Sequence, residues 1–397
     1  MDSTTFLSAL TLPLDLPCAI NLTALSMQLA TLIDYRNKRG IRSPLVPMLL
    51  VALLAKLAGY SRLADIAKWA QLRAPELTDL LGLDRATMPH PSTWSRLLAH
   101  AIDPLALTEH LRTFFAMAYH TNLVPARGSL VVAVDGKTLH GTIPAGRTHG
   151  VHLVAAYHPA SGVVLAQVAV DQKANEIVAM PTVVAALELH GVVVVGDAMQ
   201  TQRGLSIQIV EDGGDYLWLV KENQKTLLAD IEQLFRPLAP LPGTSAEPTD
   251  FTTAQTVSKG HGRMEERTIS VSSMLEEYSD WPYLAQVFKL ERRVQRRVDG
   301  QWGKVTTEVR YGVTSLPAKV ASAKRLLVLA RAEWGIENSL HYRRDVTLRE
   351  DASRFRRGQG PQVTAVLNNA VIGLALQQQY HNLASLQRQF VFAFIVC

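Results

Sequence analysis

The chain has 397 residues, of which 48% are hydrophobic and 19% are charged, so two or three domains with packed cores are expected. The two cysteines, Cys18 and Cys397, lie at opposite ends of the chain. This excludes a disulfide framework and a cysteine-based zinc site, and it favours a reducing, cytosolic setting. The formal net charge of +5 is mild evidence for a polyanionic partner.

The N-terminal part, residues 1–125, is predicted to be an all-helical domain. Its most apolar stretch, LVPMLLVALLAKLAG at 45–59, contains Pro47 and Lys56 and falls short of the roughly 20 residues that a membrane helix needs. It is therefore predicted to be a buried core helix, and no membrane association is expected. Further helices are predicted over 61–77, 91–103 and 103–120. Short helices with tight breaks are typical of a helix-turn-helix DNA reader and equally of a bundle for packing or dimerisation.

From Gly128 onwards the apolar pattern changes to that of β-strands. Strands are predicted over 129–136, 152–159, 162–171, 192–198 and 215–223. Helices are predicted over 175–191 and 202–214. Three strands followed by alternating helices and strands indicate an antiparallel start and then βαβ crossovers in a mixed sheet. Residues 126–236 are therefore predicted to be the first part of an α/β core.

A segment with the composition of a linker, PLAPLPGTSAEPTD at 237–250, begins the next region. Two strands around the turn KGHG at 259–262 and two more strands up to about residue 316 predict a β-rich insertion over 237–325. Helical patterns return in KRLLVLARAEWGIENSLHYRRDVTL and again from Pro361, so residues 326–397 are predicted to complete the core and to add C-terminal helices.

Two apolar strands are each followed by an aspartate. Leu130–Val134 precede Asp135, and four valines and Gly196 precede Asp197. Strand ends hold carboxylates rigidly, and Mg²⁺ prefers such hard oxygen ligands, so a divalent-metal site is predicted. A third acid is expected on a helix. Glu337 is the preferred candidate because apolar residues surround it at helical spacing, and the competing candidates are Asp345, Glu350 and Asp351.

Arginines are concentrated in two clusters. The first contains Arg292, Arg293, Arg296 and Arg297, and the second contains Arg343, Arg344, Arg349, Arg354, Arg356 and Arg357. Local density of this kind indicates nucleic-acid binding more strongly than the net charge does, although a solvated helix face would produce the same pattern.

Several blocks together resemble the ISAs-type DDE insertion-sequence transposases, the H-repeat-associated group. They are VAVDGKTLHGT, VVVVGDAMQTQ, YLWLVKENQKTL, KGHGRMEERTI and EWGIENSLHYRRDVTLREDASRFRRG, and the likeness extends from about Asn37 to about Leu376. The resemblance implies an RNase H-like mixed sheet with flanking helices, interrupted by the β-rich insertion. It also implies that Asp135, Asp197 and Glu337 are the catalytic triad and hold two Mg²⁺ ions, with Mn²⁺ as a substitute.

The function implied is cleavage of DNA at the ends of an insertion sequence and strand transfer to target DNA. The expected partners are double-stranded DNA and a second copy of the chain assembled on it, and the expected location is the cytoplasm, at the nucleoid. Candidate DNA contacts, each with an alternative structural role, are Lys137, Lys221, Asn223, His261, Arg263, Arg344, Arg354, Arg356 and Arg357.

The broader superfamily carries a Tyr, Arg, Glu, Lys signature around the third acid. Two of its positions, four residues before and seven residues after Glu337, are Glu333 and Arg344 here. Glu333 places an acid where a base is expected, and Arg344 keeps the charge without the lysine geometry. Two alternatives therefore remain open: a decayed transposase that only binds DNA, and an RNase H-like structure-specific nuclease.

Overall fold

A computed structural model describes residues 20–39, 41–118, 126–170, 176–236, 249–260, 262–298 and 300–396. The chain divides into two compact units. The first takes its residues from Met1–Leu123, Gly136–Ala179 and Glu337–Cys397, and the second from Val124–Asp135 and Met180–Ile336. Among the described residues, no helix has the length and apolar character needed to cross a membrane. The four-part domain scheme remains a prediction.

Twelve helices are found in the described residues. They are α1 Leu22–Leu29, α2 Leu45–Leu57, α3 Leu63–Leu72, α4 Ala74–Leu81, α5 Pro91–His100, α6 Pro104–Ala118, α7 Glu176–Ala185, α8 Arg203–Glu211, α9 Lys225–Leu234, α10 Ala323–Gly335, α11 Gly360–Gln377 and α12 Leu383–Val396. The path from α10 continues through π-helical segments at Ile336–His341 and Arg343–Thr347. Neither α1 nor α9 is foreseen from the sequence.

Ten strands are found in the same residues. They are β1 Leu130–Thr138, β2 His152–His158, β3 Val163–Val170, β4 Val192–Gly196, β5 Asp215–Val220, β6 Thr252–Gly260, β7 Arg263–Ser272, β8 Gln286–Val298, β9 Gln301–Trp302 and β10 Thr306–Thr314.

The first unit packs helices around a β-hairpin. Helix α2 is buried along most of its length, which confirms the prediction of a core helix at this position. Strands β2 and β3 pair in antiparallel fashion, and α6 and α11 pack against β3. The single helix predicted over 61–77 is wrong: it is two helices separated at Arg73, because Pro75 in the first turn of α4 cannot continue the hydrogen-bond ladder of α3.

The second unit contains a large mixed sheet, as expected. Its strand order is β1-β4-β5-β10-β8-β7-β6, with β9 paired to β8. Strands β1, β4 and β5 are parallel, and the pairings from β5 to β6 are antiparallel. The strands expected in the insertion therefore extend the sheet from the edge of β5.

Strand β1 also differs from its prediction over residues 129–136, since it continues to Thr138. Its ladder with β4 nevertheless ends at the pair Val134–Gly196, so Asp135 is the first residue of β1 beyond that ladder.

Candidate active site

The two predicted aspartates occupy equivalent positions on neighbouring parallel strands. Val134 of β1 pairs with Gly196 of β4, and Asp135 and Asp197 are the next residues on each strand. The valines of β4 that precede Asp197 are buried, whereas Asp135 and Asp197 are both half-buried. Neighbouring strands lie about 4.8 Å apart, so the register brings the two acids together at one edge of the sheet.

Local backbone structure fixes the second aspartate. Asp197 caps the short 3₁₀ turn Ala198–Gln200, and its Oδ1 accepts a hydrogen bond from the backbone N–H of Met199 at 2.9 Å. The side chain of Asn223 donates to the carbonyl of Ala198 at 2.6 Å and braces the same turn. Asn223, predicted to contact DNA, therefore also has a structural role here.

A third acid, Glu333, lies close to the aspartate pair. It is carried by α10, which packs against β4. Burial raises the pKa of Glu333 to about 7; Arg310 lowers this pKa, and the charges of Asp197 and Asp135 raise it. Its Oε2 atom is buried and has no hydrogen-bond partner among the residues that the structure describes. The sequence signalled this residue because Glu333 places an acid at a position of the superfamily signature where a basic residue is expected.

Trp334, next to Glu333, is half-buried and packs against two arginines. The guanidinium carbons of Arg292 and Arg310 are 5.3 Å and 4.8 Å from its ring centroid. Arg292 also forms an ion pair with the buried Glu265, at 2.5 Å. Part of the first arginine cluster thus packs against α10 instead of facing solvent.

In the first unit, Glu337 is paired with a histidine on the same turn. The Oε2 atom of Glu337 and the Nδ1 atom of His341 are hydrogen-bonded at 3.1 Å. This bond holds the pKa of Glu337 below its usual value, with a further contribution from the charge of Lys137. His341 is buried, which lowers its pKa. Glu337 is therefore an exposed, ionised carboxylate held in place by a buried imidazole.

The competing candidates for the third acid are each engaged by a cation. Lys137, which is 8% exposed, donates from Nζ to Asp345 at 2.7 Å and to Asp351 at 3.5 Å. Glu350 accepts a hydrogen bond from Arg344 at 2.7 Å. These pairs favour Glu337 over its competitors and give Lys137, a predicted DNA contact, a structural partner.

The other predicted DNA contacts have different surroundings. Arg344 is completely buried against Glu350, so its assignment to the DNA surface is wrong: the π-helical turn directs it into the core. Lys221 is exposed, and Arg263 is exposed but pairs with Glu265 at 3.3 Å. His261 lies outside the described residues.

The C-terminal part of the second arginine cluster is on the surface. Arg354, Arg356 and Arg357 are all exposed. Arg356 donates to the carbonyl oxygens of Gly141 and Ile143, at 3.1 Å and 2.7 Å. These three side chains remain available to a partner.

Two family models match this chain, one in its N-terminal part and one over most of the remainder. Residues 126–374 match the model of the family described as "Transposase DDE domain", and residues 26–115 match the model described as "DDE_Tnp_1-associated".

Three relatives illustrate the likeness. "Putative transposase YncI" of Escherichia coli O157:H7 is 29% identical over 360 residues, 88% of each chain. "H repeat-associated putative transposase YhhI" of Escherichia coli strain K12 is 27% identical over 86% of this chain and 87% of the relative. "Uncharacterized protein in dhlA 3'region" of Xanthobacter autotrophicus is 32% identical over 68% of this chain and 86% of the relative.

Among solved structures, "Cryo-EM structure of piggyBac transposase synaptic complex with hairpin DNA (SNHP)" is matched with a TM-score of 0.41 and 8% identity, over 94% of this chain and 76% of that chain. A likeness of this size carries no argument. The family models cover the strands that bear the predicted acids, and with the relatives they confirm the resemblance seen in the sequence. The chain belongs to the transposase DDE domain family, and its relatives include H repeat-associated putative transposases.

Proposed function

We propose that this protein cuts DNA at the ends of an insertion sequence and joins those ends to target DNA, by a metal-dependent reaction on an RNase H-like core. The observation that carries the proposal is the register of β1 and β4, which puts Asp135 and Asp197 side by side at one sheet edge. Acids gathered in this way repel one another, and a divalent cation relieves that repulsion.

Asp135, Asp197 and Glu337 are the three ligands in this proposal. Glu337 follows Glu333 by four residues on a continuous helical path, which is about one turn. Because the charges of both aspartates act on Glu333, the helix passes close to them. Glu337 is kept ionised by His341, whereas burial favours the protonated form of Glu333. The helix thus supports Glu337 as the ligand and Glu333 as an additional carboxyl beside the pair.

The donor set fits a divalent cation, since the carboxylate oxygens of Asp135, Asp197 and Glu337 are hard ligands. Transposases of this family normally use such a metal. Two Mg²⁺ ions, or Mn²⁺ in their place, would activate the attacking oxygen and stabilise the leaving oxygen of phosphoryl transfer.

The chain's own residues orient these ligands. The Met199 N–H holds one oxygen of Asp197, His341 holds one oxygen of Glu337, and Asn223 braces the turn below Asp197. Lys221 is exposed, and its charge acts on Glu333. We assign Lys221 a contact with a DNA phosphate at the active site. Since an insertion sequence has two ends, two copies of the chain are proposed to act together on DNA.

The decisive experiment compares the wild type with Glu337→Gln and Glu333→Gln on labelled element-end DNA, with Mg²⁺, with Mn²⁺ and with a chelator. We expect Glu337→Gln to abolish cleavage and Glu333→Gln to retain it. If Glu333→Gln loses cleavage while Glu337→Gln retains it, Glu333 is the third ligand instead of Glu337. A wild type that binds end DNA without nicking it under any metal would favour a decayed transposase that only binds DNA.

A further inference from the structure

The first unit contains a polar groove that the proposed chemistry does not use. It has a volume of about 840 Å³ and is lined by the start of α3, the turn after β1 and the segment that follows Asp351. We call it the arginine groove. The residues that define it are Ser61, Arg62, His140, Arg354, Arg356 and Thr364.

We propose that the arginine groove binds the phosphate backbone of duplex DNA, so that the N-terminal helices and the catalytic part of the chain hold the same DNA molecule. The inference rests on the proposed function. It gives a role to residues 26–115, the associated domain, which contribute Ser61 and Arg62 to the groove but no acid to the active site.

The charge of the groove favours a polyanion. Arg62 and Arg354 are exposed, and neither forms an ion pair with a described residue. Arg356 is held by two carbonyl oxygens and is therefore preorganised at the groove wall. The one lining carboxylate, Asp351, is partly neutralised because Lys137 lies 3.5 Å away and the backbone N–H of His140 donates to it. Unpaired guanidinium groups in a concave surface match phosphate oxygens in charge and geometry.

Uncharged donors point to the same ligand. Helix α3 begins beside the groove, and its N-cap residue Arg62 makes no side-chain capping hydrogen bond. The first N–H groups of α3 therefore have no side-chain cap at this end, and Asp65 in the first turn partly offsets the positive end of the helix dipole. The Oγ1 atom of Thr364 is buried at the groove wall and has no hydrogen-bond partner in the part of the chain that the structure describes. A phosphate oxygen would satisfy such groups.

A smaller recess of about 190 Å³ adjoins the groove and shares Ser61, Arg62 and Thr364 with it. Its wall includes Lys56, which is 1% exposed and donates one hydrogen bond, to Asn368 Oδ1 at 2.7 Å. Two carboxylates also line the recess: Asp65 is exposed at its mouth, and Glu350 is engaged by Asn368 and Arg344. The recess thus places a buried ammonium behind the groove, where Asn368 and the charge of Glu350 hold it as part of the packing.

The test measures the affinity of the full chain for a duplex oligonucleotide as a function of salt concentration. The variants are Arg62→Ala, Arg354→Ala and their double combination. Each phosphate contact that is lost should reduce the slope of log affinity against log salt by roughly 0.9. The double variant should therefore lose roughly 1.8 units of slope. The matched control is Arg96→Ala, which removes one exposed arginine of α5 outside the groove and should keep the wild-type slope.

A neutral variant separates hydrogen bonding from charge. Thr364→Val keeps the shape of the side chain and removes the hydroxyl, so we expect a several-fold loss of affinity without a change in slope. If the double arginine variant keeps the wild-type slope and affinity, the arginine groove does not bind DNA, while the proposed transposase activity is unaffected by that result. If the wild type does not bind duplex DNA at low salt, both the proposed function and DNA binding by the arginine groove are wrong.

Discussion

The two units bury charged groups in opposite ways. In the second unit acid faces acid, since Glu333 lies within the electrostatic reach of Asp197 and Asp135. In the first unit charges alternate: Arg344 bonds one oxygen of Glu350, and Asn368 bonds the other and also accepts from Lys56. The first arrangement costs stability and the second is internally compensated. Carboxyl groups gathered on a rigid sheet edge, with a repulsion that Arg310 only partly offsets, indicate a site suited to a cation, whereas a network of paired charges indicates packing.

The largest expected effect tests the acidic cluster. Asp197→Asn keeps the size of the side chain and its acceptor for Met199 N–H, but it removes a charge that a metal requires. We expect cleavage of element-end DNA to fall by orders of magnitude while DNA binding and the free energy of unfolding stay close to those of the wild type. Cleavage assays, binding isotherms and urea denaturation measure the three quantities.

The control for that experiment is Asp212→Asn, an exposed aspartate at the end of α8. It should leave cleavage unchanged. If Asp197→Asn cleaves as fast as the wild type, Asp197 is not a metal ligand, and the acidic cluster of the second unit is not the metal site that we propose.

The next largest effect tests the compensated network. Glu350→Gln removes the only carboxylate that, among the described residues, bonds the buried Arg344; this bond is made by Nε, and the two Nη atoms have no hydrogen-bond partner there. Breaking a buried ion pair on one side leaves an uncompensated charge, so we expect a loss of about 3–5 kcal/mol in the free energy of unfolding. The double variant Glu350→Gln, Arg344→Met should recover part of this loss. Equal losses in the single and double variants, in urea denaturation, would mean that the pair is not coupled.

The contrast also explains what the sequence could reveal. Asp135 and Asp197 were predictable because each follows a run of apolar residues, and runs of that kind form buried strands. Glu333 was visible only as a departure from a signature, because its proximity to the aspartates depends on how α10 packs on β4. The burial of Arg344 could not be predicted, since the local pattern of six arginines is equally typical of a solvated surface. Its direction is set by the π-helical turn and by Glu350.

The strand order was likewise only partly predictable from the sequence. The parallel strands β1, β4 and β5 follow from alternating helices and strands in the sequence. The attachment of β10 to β5 pairs Thr314 with Leu217, a contact across a long stretch of chain that no local pattern encodes. The N-terminal helices were predicted as elements, yet the groove that Arg62 forms with Arg354 depends on their packing.

A third effect, of intermediate size, concerns the pH dependence of the network. Burial lowers the pKa of Lys56 from 10.5 to about 8, and the charge of Glu350 partly opposes this. Between these two values the unfolded chain binds more protons than the folded chain, so stability rises with pH. The shift corresponds to about 3 kcal/mol between pH 8 and pH 10.5.

Lys56→Met should remove this rise, and the difference between wild type and variant isolates it from the titration of tyrosines in the same range. The measurement is urea denaturation at a series of pH values. Parallel stability curves for the two proteins would mean that Lys56 is solvated rather than buried in the network.

The smallest effect concerns charge pairs on the exposed part of the second unit. Arg293 on β8 lies opposite Glu266 on β7, with 3.8 Å between Nη1 and Oε2, and its side chain is 50% exposed. Solvent screens such a pair, so Arg293→Ala should change the free energy of unfolding by less than about 1 kcal/mol. Because Glu266 already neutralises this arginine, the slope of DNA affinity against salt should also stay at the wild-type value, unlike that of Arg354→Ala. A reduced slope for Arg293→Ala would show that DNA displaces Glu266, and it would extend the DNA surface from the arginine groove of the first unit to the β7–β8 surface of the second.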